Sequence, residues 1–296
     1  MRRYVEDSSL VFSAAIILAL VVPAGASFTS GLIVPALVLA MSLSMRQLAF
    51  SWKEVQSNIK PAFLGFALNY VFLSGLILAC GFFLRDNVDY FRGMAVMAAV
   101  PPAVAVVPFT FLLGGNGGAA LSASALSYAG ALLYAPALMV ILLGNSVDVG
   151  YLLWLLFLMI IVPFVVSRVL RRFPDGLFSL NKAVINICFA VISYSVIALN
   201  SAALHSVNPQ MLLLTLALFA RTFVSGFFVW HMTGFLKLKS DDRIAYSMLS
   251  AYKNLGAATV ISLGLFGAAA AFPAAIGTIF ELLFFIAFRI YLRRVH

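Results

Sequence analysis

Apolar residues run through this chain in long stretches broken by short polar junctions. A bilayer core of roughly 30 Å takes about 20 apolar residues of helix. The stretches predict ten such spans, near 9–26, 29–48, 61–83, 92–113, 117–143, 150–170, 182–203, 210–236, 243–267 and 272–291. The expected fold class is therefore all-α integral membrane. Ten spans divide as five plus five, and halves with an odd number of spans face opposite ways in the bilayer. The expectation is one transmembrane domain over 1–296, with 1–148 and 149–296 as the two halves of an inverted repeat.

Two spans break the pattern, and they hold matching places in the two halves. Span 4 reads "MAAVPPAVAVVPF", with Pro101, Pro102 and Pro108 in mid-span. Each proline removes a backbone donor and clashes with the preceding turn. Span 9 reads "SAYKNLGAATV", with Lys253, Asn254 and Gly256 in its middle. Interrupted segments at corresponding positions are the best sequence pointer to a transport site. They leave backbone groups that only protein or a hydrated cavity can satisfy. A pair of kinked packing helices would give the same pattern.

Composition strengthens the membrane reading. The chain has 296 residues, 64% hydrophobic and 10% charged, with a mean hydropathy of +1.08. A soluble chain is nearer half apolar and a quarter charged. The net charge of +9 could suggest nucleic acid in a soluble protein. Here it fits basic cytoplasmic loops, and no nucleic-acid partner is expected. Fifteen of the 19 basic residues fall at the N-terminus (Arg2, Arg3), the 2–3 loop (Arg46, Lys53, Lys60), the 6–7 loop (Arg168, Arg171, Arg172, Lys182), the 8–9 loop (Lys237, Lys239, Arg243) and the C-terminus (Arg289, Arg293, Arg294). Only Arg85 and Arg92 fall on the other side. This places both termini in the cytoplasm of a cell (inner) membrane. The start, with Arg2, Arg3 and "PAGAS", has features of a signal peptide. Glu6 and Asp7 spoil its basic region, so it is read as the first span. Cys80 and Cys188 lie in apolar segments and read as small buried hydrophobes.

Ionisable residues at depth are functional candidates: Arg221 in span 8, Lys253 in span 9 and Glu281 in span 10. Their charges sum to +1. Glu281 is expected to pair with one of the two bases, leaving a positive charge suited to an anion; a structural pair plus one snorkelling base is the plainer alternative. Ser122, Ser124 and Ser127, after Asn116 at the start of span 5, could line a cavity or serve close helix packing. Asn69, Asn186 and Asn200 are equally ambiguous. Asp86 and Asp89 form a D-x-x-D of the kind some membrane prenyl transferases use for magnesium, but its place beside Arg85 and Arg92 suits a solvated loop. His205, His231 and His296 are scattered, and no Walker, HExxH or GxSxG motif stands in context. No catalytic residue, metal or cofactor is expected.

With these features the chain resembles the bile acid:sodium symporter family. The likeness lies in the ten spans, the breaks in spans 4 and 9, the segment "DDRIAYSMLSAYKNLGAATV", "GGAALSASALS" at the start of span 5, and "GLIVPALVLAMSLSM" in span 2. Asn254 and Gly256 match the family's span-9 motif Glu-x-x-x-Gln-Asn-x-Gly, and Pro101 matches the proline of its span-4 Pro-Gly-Gly, followed here by Pro102 and Ala103. The resemblance implies a core of spans 3–5 and 8–10, a second domain of spans 1, 2, 6 and 7, and substrate between them near the crossed breaks. It also implies that Asn254 gives a side-chain amide to the crossing backbone and that Gly256 allows two chains to approach.

The departures concern sodium, which the family binds with carboxylate, amide and hydroxyl oxygens. Here the motif's Glu position is Leu249, its Gln position is Lys253, and the span-4 Ser-Asn pair falls at Val106 and Val107. An ammonium and three aliphatic side chains cannot coordinate a hard cation. The expected function is a secondary carrier of a small organic anion, sodium-independent, with Lys253 as a tethered cation. A titratable amine at this place would also permit proton coupling. The alternatives are a sodium symporter with ligands elsewhere, a non-transporting receptor, and a channel, for which a continuous polar stripe is missing. Apart from the organic anion, the lipid bilayer is the only expected partner.

Overall fold

The computed structural model describes residues 6, 8–46, 59–201 and 209–295. His205, His296 and Lys53, the tail of span 2 beyond 46 and most of the tail of span 7 lie outside them. The described residues form helices and no strands. We label them α1 (Ser8–Val21), α2 (Pro23–Arg46), α3 (Ile59–Phe82), α4 (Val88–Ala99), α5 (Val106–Leu112), α6 (Gly117–Leu143), α7 (Val149–Leu170), α8 (Asn181–Leu199), α9 (Pro209–Phe235), α10 (Ser240–Ala251), α11 (Leu255–Phe266) and α12 (Ala268–Val295). Seven stretches among the described residues, those of α2, α3, α6, α7, α8, α9 and α12, are long and apolar enough to cross a bilayer. The two predicted irregular spans are each a pair of short helices: α4 with α5, and α10 with α11.

Two boundaries differ from the sequence reading. The junction of spans 1 and 2 lies at Val22, not near 27–28. Pro23 opens the second helix, where its missing N–H is no loss. The small polar run at the expected junction is helical, with Ser27, Thr29 and Ser30 hydroxyls returned to carbonyls three or four residues back. Span 4 starts at Val88 because Asn87 caps it, its Oδ1 accepting from Tyr90 N at 3.1 Å.

The helices pack in two groups. α8 lies against α1 and α2, and α7 against α2. α3 packs on α4 and α6, α4 on α6, α11 and α12, and α9 on α10. The second group encloses an aromatic core in which Phe284, Phe288 and Trp230 are buried, with ring centroids 5.3–5.5 Å apart. Three spanning helices each carry one wide π-turn: Leu68–Leu73 in α3, Phe157–Ile161 in α7 and Ala220–Val224 in α9. Those in α3 and α9 face the breaks.

Candidate substrate and ion site

The first break follows from proline. Val100 is extended (φ −72°, ψ 155°), because a residue before proline is pushed out of the helical region. Pro101 and Pro102 carry no N–H, and helix resumes only at Val106. The second break follows from polar groups. Tyr252 is extended (φ −117°, ψ 130°). Asn254 then caps α11, its Oδ1 accepting from Ala257 N at 3.0 Å. The two breaks touch directly: Asn254 N donates to Pro101 O at 2.7 Å.

Lys253 lies between the breaks, fully buried. Its ammonium donates to Val100 O at 2.9 Å, Ala98 O at 3.1 Å and Ser74 Oγ at 2.9 Å. All three of its protons are therefore used. The Tyr70 ring lies 4.5 Å from the Nζ, within cation–π range. Two of the acceptors are carbonyls at the end of α4, which lack partners further along the helix. The end of α10 is served differently: Asn69 Nδ2 donates to Leu249 O at 2.8 Å and Tyr252 O at 3.0 Å.

Both sets of contacts depend on α3. Five residues separate Asn69 from Ser74, which in an α-helix is about 140° of rotation. The π-turn bonds i to i+5 and stacks them, so that Ser74 Oγ lies 3.1 Å from Asn69 O. One face of α3 thereby reaches both broken ends.

The π-turn of α9 carries Arg221. Its Nη1 donates to Glu281 Oε1 at 2.9 Å, and its Nη2 to Gly277 O at 3.3 Å. The same Glu281 oxygen accepts from Lys253 N at 3.0 Å, and Tyr252 OH donates to Glu281 O at 2.7 Å. Glu281 thus pairs with Arg221, and Lys253 meets it through the main chain only. The charge left over belongs to Lys253.

The remaining candidates scatter around this centre. The Asn254 side-chain amide does not reach the crossing backbone; its main-chain N–H does. Its Nδ2 donates instead to Tyr128 OH at 3.1 Å and faces Met41 Sδ of α2 at 3.8 Å. At Gly256 the close approach is to side chains of the other helix group: an added Cβ would fall 2.7 Å from Leu37 Cδ1 and 3.2 Å from Phe189 Cε1. Ser122, Ser124 and Ser127 are buried in α6. Of these, Ser127 joins the cluster through its carbonyl, which accepts from Tyr70 OH at 3.0 Å. Val106, Val107 and Leu249 are buried aliphatics. Asp89 lies 3.6 Å from Arg92 in the first turn of α4, Asp86 is exposed beside it, and no metal-binding cluster occurs among the described residues. Cys80 and Cys188 are both free. Sequence reasoning missed Ser74, Tyr70, Tyr128 and Met41, and left Asn69 undecided.

Long apolar helices around a buried polar crossing of two broken ones fit a multi-pass membrane protein. The model of the SBF-like CPA transporter family matches residues 9–284, and the chain belongs to that family, which is bile acid:sodium symporter-like. Comparison with curated proteins gives no match.

Proposed function

We propose that the protein is a secondary carrier of a small organic anion, a carboxylate, that works by alternating access without sodium, with Lys253 in the place of a mobile cation. The observation that carries this reading is the Lys253 ammonium, held by three oxygens at 2.9–3.1 Å between the breaks. A helix end carries roughly half an elementary negative charge at its carbonyls. The ends of α4 and α10 together then amount to about one, which a fixed ammonium offsets with no ion bound. Arg221 and Glu281 cancel each other, and the N-terminus of α11 adds positive potential at Asn254. An anion is the substrate this balance favours.

Ten spans, with the loops sorted onto two sides, draw support from contacts between loop ends. Arg46 meets Asp175, and Asn116 meets Asp242; these residues belong to the loops read as cytoplasmic. Asn87 meets Gln210, and Asn200 meets Ala268 O; these belong to the opposite set. Alternating access would move α1, α2, α7 and α8 against the other helices, with Asn254, Tyr128 and Met41 at the boundary.

The test is uptake into reconstituted vesicles of radiolabelled pantoate, pyruvate and taurocholate, each with a sodium gradient, a proton gradient or neither. The expected result is saturable uptake of a carboxylate, altered in Lys253→Gln. No uptake of any carboxylate above empty vesicles would overturn the anion-carrier reading.

A further inference from the structure

The chain between α7 and α8 forms a short strap at the end of the molecule that holds Arg46. The strap is fixed from α2. The Arg46 guanidinium donates to Leu170 O at 3.1 Å and Phe173 O at 3.3 Å, pairs with Asp175 at 2.7 Å, and lies 3.7 Å from the Phe178 ring centroid. Arg171 closes the joint, its Nε donating to Arg46 O at 2.9 Å. Asp175 is the only acidic residue between Arg168 and Lys182, and Arg46 already engages it. The outward surface is then apolar and basic. Phe173, Leu177 and Leu180 are exposed by 49%, 71% and 52%, and Arg172 and Lys182 are exposed beside them. Partial burial, and after it the charge of Arg46, hold the Arg171 guanidinium below its usual pKa.

The strap continues directly from α7, so it emerges at headgroup depth. Apolar side chains there reach the acyl boundary while bases reach the phosphates. We propose that residues 171–182 are a docking surface for anionic phospholipid headgroups in the leaflet they face. The pairing of exposed aliphatic and aromatic groups with exposed bases that meet no carboxylate among the described residues is what such a surface requires. A soluble acidic protein would satisfy the charges but not the apolar groups.

The test uses the full-length protein in mixed micelles containing phosphatidylglycerol or phosphatidylcholine, with retained lipid read by native mass spectrometry. Arg172→Gln/Lys182→Gln is the strap variant; both side chains are exposed, so folding is expected to persist. Lys237→Gln/Lys239→Gln is the control, removing two exposed bases from another loop. The expected result is preferential retention of phosphatidylglycerol by wild type and control. In the strap variant its affinity should fall on the order of 25-fold, since each of the two bases contributes roughly fivefold near an anionic surface. Wild-type retention by the strap variant would overturn the proposal and leave a protein partner as the occupant to seek. An equal loss in the control would also overturn it, because net charge and not the strap would then govern binding.

Discussion

The two breaks at the centre of the molecule are made by opposite means. The α4–α5 break removes donors: Pro101 and Pro102 cannot continue a helix, and the residues after them are aliphatic. The α10–α11 break adds donors: Lys253 and Asn254 bring an ammonium, an amide and a main-chain N–H that bonds to Pro101 O. Carbonyls freed at the first break are satisfied by a side chain from the second. The prolines decide where the chain opens, and the polar segment decides whether the opening is stable. An unpaired polar group is costly in a buried network, so the weight should fall on the second break.

Four substitutions test this asymmetry, by unfolding in mixed micelles. The largest effect is expected from Glu281→Ala, which leaves Arg221 buried without its partner and frees the Lys253 N–H. Breaking a buried pair costs about 3–5 kcal/mol, so stability should fall by that order; restoring it with Arg221→Met in the same chain would show that the unpaired charge is the cause. Next is Lys253→Met, which strips the donor from Val100 O, while Ala98 O keeps a second one, Ser74 Oγ at 2.7 Å. With about 1–3 kcal/mol for an unsatisfied buried group, and the ammonium's contacts to Ser74 and Tyr70 lost as well, a loss of about 3 kcal/mol is expected. Asn69→Leu uncaps only the end of α10 and should cost about 2 kcal/mol. Pro101→Ala should change stability least, by under about 1 kcal/mol, because the bonds that hold the first break come from elsewhere. A Pro101→Ala loss larger than that of Lys253→Met would reverse the comparison.

The sequence made the two breaks legible, because prolines and polar residues stand out in the middle of apolar spans, although kinked helices would have left the same pattern. It also singled out Arg221, Lys253 and Glu281, since ionisable groups are scarce at that depth. It could not say which base Glu281 takes. That depends on the rotational register of α9, α10 and α12, which apolar stretches do not encode. Asn69 and Ser74 were hidden for a related reason. Five residues apart, they fall on different faces of an α-helix, and the π-turn that unites them has no sequence signature. Tyr128 passes for one more aromatic in α6 until Asn254 is seen to donate to it. The start of α2 was placed at 29 because the first span was carried through Pro23 to 26, while Pro23 acts as a helix opener.

The central claim is that Lys253 does the electrostatic work of a bound cation. The most direct measurement is carboxylate uptake into sodium-free vesicles against uptake with an inward sodium gradient, in the wild type and in Leu249→Glu/Lys253→Gln. The account predicts the same wild-type rate in both conditions, with sodium dependence arising only in the double variant. Wild-type uptake that collapses without sodium would contradict it.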